Sequence, residues 1–230
     1  MIEIKNVSKK FGKTNVLNDI SITINKGEVV GLLGSNGSGK TTLMEIVVGQ
    51  LKPTSGTVEI DGKKDGYKKV GIQFQEGIWP KGLNCKTLIK YFKSDWSAFK
   101  REEVQKIIKI FEIEDFINKD LNELSGGQKQ RLNTLLAVLN NPDYICLDEM
   151  ITGLDLKMQL KLVAYFKELK KQQKTMLIIS HIPEEVEELC DKLIILDKGS
   201  VYYSATIDDV KKNYKSVRNL LITYYNGGLK

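Results

Sequence analysis

Apolar and polar positions change their spacing along this chain, and each change marks a different kind of element. Residues 2–7 and 20–24 ("ISITI") alternate as strands with one buried face do, and "VEI" at 58–60 looks similar. "EVVGLLG" at 28–34 is instead an almost unbroken apolar run ending in glycine, which predicts a strand buried on both faces of a parallel sheet. A helical pattern follows from Gly39 to about Gly49. "KPTSG" at 52–56 is turn chemistry, and "VGIQFQ" at 70–75 predicts another strand.

From about Leu83 to Asn140 the period becomes helical, with Val104, Ile107, Ile108 and Phe111 at i, i+3, i+4 and i+7. Three apolar runs then follow: "YICLD" (144–148), "TMLIIS" (175–180) and "KLIILD" (192–197). A helix from about Leu156 to Lys171 separates the first two, and a second helix begins at Pro183, a residue suited to the first helical position. Strands alternating with helices argue for a parallel sheet with helices on its faces. The expected organisation is a single α/β domain over 1–230, with its core in 1–82 and 141–205. A helical lobe over about 83–140 interrupts that core, and residues 206–230 read as a short helix and a loose tail.

Composition narrows the class. The 41% hydrophobic content is ample for a packed core, while no apolar run approaches the ~18 residues of a spanning helix. The N-terminal segment alternates and lacks an apolar stretch, so it reads as a strand and not a signal peptide. Cys85, Cys146 and Cys190 are odd in number and scattered, which implies neither a disulfide framework nor a zinc site and points to a reducing cytosol. The formal charge of +6 is carried almost wholly by lysines interspersed with acids, with arginine only at 101, 131 and 218. That is the pattern of a solvated face, so no specific nucleic-acid binding is expected; weak attraction to an anionic membrane surface is compatible with it.

Chemistry enters at "GSNGSGKT", Gly34 to Thr41, which fits G-x-x-x-x-G-K-[ST] between a buried strand and a helix. Its glycines let backbone N–H groups curl around phosphates, the helix start adds positive potential, and Lys40 supplies a mobile charge. Thr41 offers a hydroxyl to Mg²⁺. "YICLDE" ends a buried strand in two acids. Asp148 is placed to hold Mg²⁺ through water, and Glu149 to polarise the water that attacks a γ-phosphate or merely to cap the next turn. A second glycine turn, "LSGGQKQRL" at 124–132, also opens a helical pattern, 85 positions beyond Lys40 when counted to Ser125.

With these segments in place, the chain resembles the nucleotide-binding subunit of an ATP-binding cassette (ABC) transporter over about residues 1–205. The resemblance rests on "LLGSNGSGKTTL", "LKPTSGTVEIDG", "FQE", "LSGGQKQRL", "LDEMITGLD" and "IISH", in the family's order and approximate spacing. It implies a P-loop NTPase core with a mostly parallel sheet, an N-terminal antiparallel β-subdomain and an inserted α-helical subdomain. It also implies an ATPase that uses ATP and Mg²⁺. Gly34, Ser35, Asn36, Gly37, Ser38, Gly39, Lys40, Thr41 and Thr42 would cradle the phosphates, and Phe11 falls where an aromatic stacks on adenine. Gln75 matches the glutamine that senses Mg²⁺ and the attacking water, with Gln73 the competing candidate. His181, the only histidine, ends an apolar strand where the family's switch histidine meets the γ-phosphate. Asp155 matches the aspartate of the loop that contacts the opposite subunit.

The resemblance also gives the second glycine turn a purpose. Ser125, Gly126, Gly127 and Gln128 would meet the γ-phosphate held by another subunit, so two chains, identical or related, would clamp two ATP molecules head to tail. Arg131 would brace the helix. The family's usual proline after Glu149 is replaced by Met150, which suggests a looser loop and slower but retained hydrolysis. A separate membrane permease is implied, docking near Gln75 and residues 76–92, where Trp79 and Leu83 either line a groove or simply pack the lobe. The subunit would then sit in the cytoplasm on the inner face of the membrane. The "FQEGIWPKGL" segment and compact length look similar to cassettes of bacterial ABC-2-type exporters of drugs, peptides or toxins. The alternatives are an importer cassette, a soluble single-cassette ATPase with an assembly role, and an ATP clamp that does not hydrolyse.

Overall fold

A computed structural model of the chain describes residues 1–73, 81–94 and 96–228. Nine strands form two sheets among these residues. The smaller is antiparallel, in the order β2 (Thr14–Ile24), β1 (Ile2–Phe11), β4 (Ser55–Ile60). The larger runs β5 (Val70–Ile72), β6 (Tyr144–Asp148), β7 (Thr175–Ile179), β3 (Val29–Leu33), β8 (Lys192–Asp197), β9 (Ser200–Thr206). It is parallel from β5 to β8, and only β9 runs antiparallel.

The unbroken apolar runs owe their composition to this central position. Strand side chains alternate between faces, so a strand covered on both sides must be apolar at every position. Val30 and Leu32 of β3 join Cys146, Leu177 and Ile194 in a core shared with α1 (Lys40–Val47) and the small sheet. Val29 and Leu33 join Ile145, Leu147, Met176 and Ile178 in a second core on the opposite face. That face is covered by α5 (Leu156–Lys171), α6 (Pro183–Leu189) and the inserted lobe. Gly31 allows the close approach of α6, because a Cβ there would lie 2.8 Å from Val186 Cγ1 and 3.0 Å from Cys190 Sγ.

The lobe contains α2 (Cys85–Lys93), α3 (Glu102–Ile110), short 3₁₀ turns and α4 (Gly126–Val138). Val104, Ile108 and Phe111 are buried as their spacing predicts. Leu83 packs against the same core, so it belongs to the lobe's own packing; Trp79 lies outside the described residues. Among the described residues no helix is long and apolar enough to cross a membrane.

The C-terminal stretch differs from the expected short helix and loose tail. It forms α7 (Ile207–Tyr214) and α8 (Val217–Tyr225), which bury Val210, Val217 and Leu220 against the core. Each helix is capped by a hydroxyl, Thr206 accepting from Asp209 N and Ser216 from Asn219 N. The exposed tyrosines and lysines hide this apolar seam in the sequence. The strand β9 is likewise an addition: its alternation is obscured by exposed Tyr202 and Val201 on the outer edge of the sheet.

Candidate active site

Three loops meet at the carboxyl ends of adjacent parallel strands. The glycine loop follows β3, Asp148 and Glu149 close β6, and Ser180 and His181 follow β7. In an open parallel sheet, this edge is where ligands are held. A cavity of about 260 Å³ opens there, lined by Asn36, Gly37, Gly39, Lys40, Thr41, Thr42, Asp148, Glu149 and His181, with Val16 and Ile179 as apolar wall.

The loop's shape depends on its glycines. Gly34 has φ 141°, and a Cβ on it would lie 2.2 Å from Leu196 O. Gly39, at φ 102°, sits against Leu17, so the β1–β2 hairpin presses directly on the loop. Lys40 curls back, its Nζ donating to Gly34 O and Ser35 O at 2.9 Å each. Burial pulls the Lys40 ammonium below its usual range, while the charges of Asp148 and Glu149 oppose that shift. An anion in the cavity would add to the counter-charge on this buried cation. Ser38 is buried with its Oγ unpartnered.

Thr41 Oγ1 lies 3.4 Å from Asp148 Oδ2. A hydroxyl and a carboxylate side by side are hard oxygen donors of the kind Mg²⁺ prefers when it keeps most of its waters, so these residues fit that ion. Buried Gln73 donates from Nε2 to Asp148 O at 2.8 Å, and its Oε1 has no partner. Gln73 therefore braces the acidic strand end from within, and Gln75 lies outside the described residues.

Glu149 takes a left-handed backbone conformation, φ 52°, uncommon for a residue with a side chain. Its N–H donates to Ile179 O at 2.9 Å, and its carbonyl accepts from Gln130 Nε2. Its side-chain Oε1 is 3.3 Å from His181 Nε2. Met150 and Ile151 behind it are buried at 0% and 3% exposure. The loop expected to be loosened by the missing proline is thus anchored by two apolar side chains, and by Thr152 N donating to Glu149 O.

The second glycine turn lies apart from this cavity. Ser125 Oγ accepts from Gln128 N at 3.2 Å, and Gln128 Oε1 accepts from Ser125 N at 3.1 Å, a reciprocal cap on α4. Gly126 has open space around it, whereas Gly127 faces Gly153 and Leu154 of the loop leading to Asp155. Asp155 caps α5, its Oδ1 accepting from Met158 N at 2.9 Å. Arg131 reaches Phe111 O and Glu112 and lies 4.8 Å from the Phe116 ring centroid, so it ties α4 to α3. Phe11 stands half exposed at the tip of the β1–β2 hairpin, with Lys9 Nζ 5.0 Å from its ring centroid.

Sequence reasoning missed Val16, Gln130 and the pair Ser180 and Glu185. Gln130 had one available signal, since it lies in the first turns of the helix that "LSGG" opens. Val16 had none, because its role comes from the hairpin folding over the loop.

Residues 17–152 match the profile of a family described as ABC transporter. The chain is 31% identical to the ABC transporter ATP-binding protein NatA of Bacillus subtilis (strain 168), over 94% of each chain. It is 32% identical to the spermidine/putrescine import ATP-binding protein PotA of Clostridium novyi (strain NT), covering 99% of this chain and 67% of that one. It is 34% identical to the Nod factor export ATP-binding protein I of Burkholderia lata, covering 86% and 68%. Among solved structures, a dimeric ATP-binding cassette in a post-hydrolysis state with ADP and Pi superposes with a TM-score of 0.81 at 28% identity, over 90% of this chain and 99% of that one.

Proposed function

The chain belongs to the ABC transporter family, and from that premise we propose that it is the ATP-hydrolysing subunit of an exporter, working as a dimer on a separate membrane permease. The observation that carries the ATPase reading is the convergence of Lys40, Thr41, Asp148, Glu149 and His181 on one cavity. They come from three loops at adjacent strand ends, and together they match what phosphoryl transfer to water requires: phosphate binding, metal positioning and a base.

Lys40 and the backbone N–H groups of residues 36–41 bind the β- and γ-phosphates. Thr41 and, through water, Asp148 would hold Mg²⁺, with Gln75 completing its surroundings; when bound, the ion would supply positive charge to those phosphates. Glu149 accepts a hydrogen bond from the attacking water and takes its proton as the new bond to the γ-phosphorus forms and the bond to the β–γ bridging oxygen breaks, releasing ADP and phosphate. His181 donates to the γ-phosphate oxygens and, 3.3 Å from Glu149, aligns that carboxylate with the water. Phe11 stacks on the adenine ring.

Ser125, Gly126, Gly127 and Gln128 cap the same phosphate from a second copy, and Asp155 joins the two sites. Three things support this reading: the turn is built as a helix start, it lies outside its own chain's cavity, and a similar cassette was solved as a dimer. The permease would dock near Gln75 and residues 76–92, holding the subunit on the cytoplasmic face. Export is supported by the relative named for Nod factor export and by the resemblance in "FQEGIWPKGL". Import has its own support in the relative named for spermidine and putrescine.

The deciding experiment is Mg²⁺-dependent ATP hydrolysis by the purified chain beside Glu149→Gln. Wild type should turn over, and the variant should not, but should move to a dimer on size exclusion with ATP. Equal turnover of the two proteins would overturn the assignment of Glu149. A variant that binds ATP and stays monomeric would overturn the shared site. Accumulation of substrate inside cells that express the chain with its permease would overturn export.

A further inference from the structure

The turn that carries His181 is held by a buried carboxyl group that the proposed mechanism leaves unused. Glu185, in the first turn of α6, is 3% exposed, and its Oε2 accepts a hydrogen bond from Ser180 Oγ. The same hydroxyl accepts from Ile182 N at 3.0 Å. Ser180 precedes His181 and Ile182 follows it, so one hydroxyl closes a small ring around the histidine, and Glu185 fixes the orientation of that hydroxyl. A hydroxyl has only one proton to donate, so the Glu185 acceptor and the Ile182 donor together leave it a single orientation.

Glu185 is otherwise poorly provided. Its Oε1 is buried without a partner. A carboxylate with one donor and no cation would be costly at this depth, which favours the neutral acid. Burial pushes the group up to about 7, the Ser180 bond acts in the other direction, and the charge of Glu149 adds to the rise. Cys190, just past the end of the same helix, feels the charge of Glu185, which adds to the rise that burial imposes on its thiol. Van der Waals packing of Val186 and Cys190 on Gly31 of β3 holds α6, and with it the Glu185 backbone, at a set distance from the β7 end.

We propose that Glu185 is a positioning residue, whose carboxyl locks the Ser180–Ile182 turn and thereby sets the His181 imidazole against Glu149. This rests on the reading of His181 as a γ-phosphate contact, yet its geometric part can be measured without turnover. His181 is the only histidine of the chain, so its imidazole nitrogens give unambiguous signals in a ¹H–¹⁵N long-range NMR spectrum.

Three variants test it. Glu185→Gln keeps an acceptor for Ser180 and should preserve the His181 signals and turnover to within about threefold. Glu185→Leu fills the space without an acceptor, and should shift and broaden the His181 signals. It should also lower kcat about tenfold or more while KM for ATP stays within about twofold. Ser180→Ala removes the linking hydroxyl and should do the same; it decides the matter if Glu185→Leu does not fold. Unmoved His181 signals in a folded Glu185→Leu or Ser180→Ala protein overturn the proposal. Loss of the signals in Glu185→Gln as well overturns it too. Absence of ATPase activity in the wild type instead strikes the functional reading, and the NMR result still stands alone.

Discussion

His181 Nε2 lies 3.3 Å from Glu149 Oε1, joining the ends of two adjacent parallel strands across the mouth of one cavity. Ile179 supplies the backbone link between them, accepting from Glu149 N at 2.9 Å two residues before the histidine. His181→Ala removes both the γ-phosphate donor and the partner of Glu149. The expected loss is on the order of 10²-fold in kcat, with a much smaller change in KM, as for an interaction made mainly in the transition state. Steady-state Mg²⁺-ATPase kinetics check this, and an effect confined to KM would contradict it.

Gly34 and Gly37 give a paired test of the phosphate loop. Both have positive φ, but a Cβ at Gly34 would lie 2.2 Å from Leu196 O, whereas Gly37 faces open space. Gly37→Ala meets only the backbone penalty, about 1 kcal/mol. Gly34→Ala adds a backbone collision and should cost at least about 2–3 kcal/mol, while weakening nucleotide binding. Urea denaturation and titration with a fluorescent ATP analogue read the two effects. Equal stability of the two variants would show that the loop relaxes around the clash.

Ser125 is expected to have two separable roles. Its hydroxyl caps α4 within its own chain, so Ser125→Ala should lower stability by about 1 kcal/mol even without nucleotide. In the ATP-bound dimer the same change should also weaken association. If denaturation without nucleotide matched wild type while dimerisation failed, the capping role would be rejected and the phosphate role kept.

Glu185 gives a pH signature in stability. Its carboxyl is pushed from an ordinary 4.5 up to about 7, chiefly by burial. The folded state therefore holds this proton more tightly than the unfolded chain. The group's contribution is fully present below pH 4.5, is lost as pH rises toward 7, and changes little above that. At about 1.4 kcal/mol per pH unit, the loss is about 3 kcal/mol. Glu185→Gln lacks this slope, so its advantage over wild type in urea should grow by that amount between the two pH values. Parallel stability curves for the two proteins would show that Glu185 is already ionised in the folded state.

Much of the fold was legible because buried strands leave a strong trace. The run at 29–33 carries no polar side chain, and β3 is covered on both faces, the physical reason for that pattern. The phosphate loop was legible because its glycines and Lys40 answer to local backbone geometry that few other residues can adopt. The C-terminal helices were harder to see. Their buried faces are short, and the exposed Ile222 and Tyr225 blur the helical period.

The sequence by itself determined the kinds of chemistry present, the order of the strands along the chain, and the placing of each motif at a strand or helix end. These follow from spacing and local conformation, which neighbouring residues impose on one another. Only the tertiary structure decided which motif ends meet. The order β6-β7-β3 puts Glu149, His181 and Lys40 on one edge, although the chain visits these strands in another order. It also left the Ser125 turn outside that cavity, brought Gln130 onto the Glu149 carbonyl, and buried Glu185 behind the histidine turn. Such contacts depend on helices packing across a sheet, a long-range choice that no local pattern encodes.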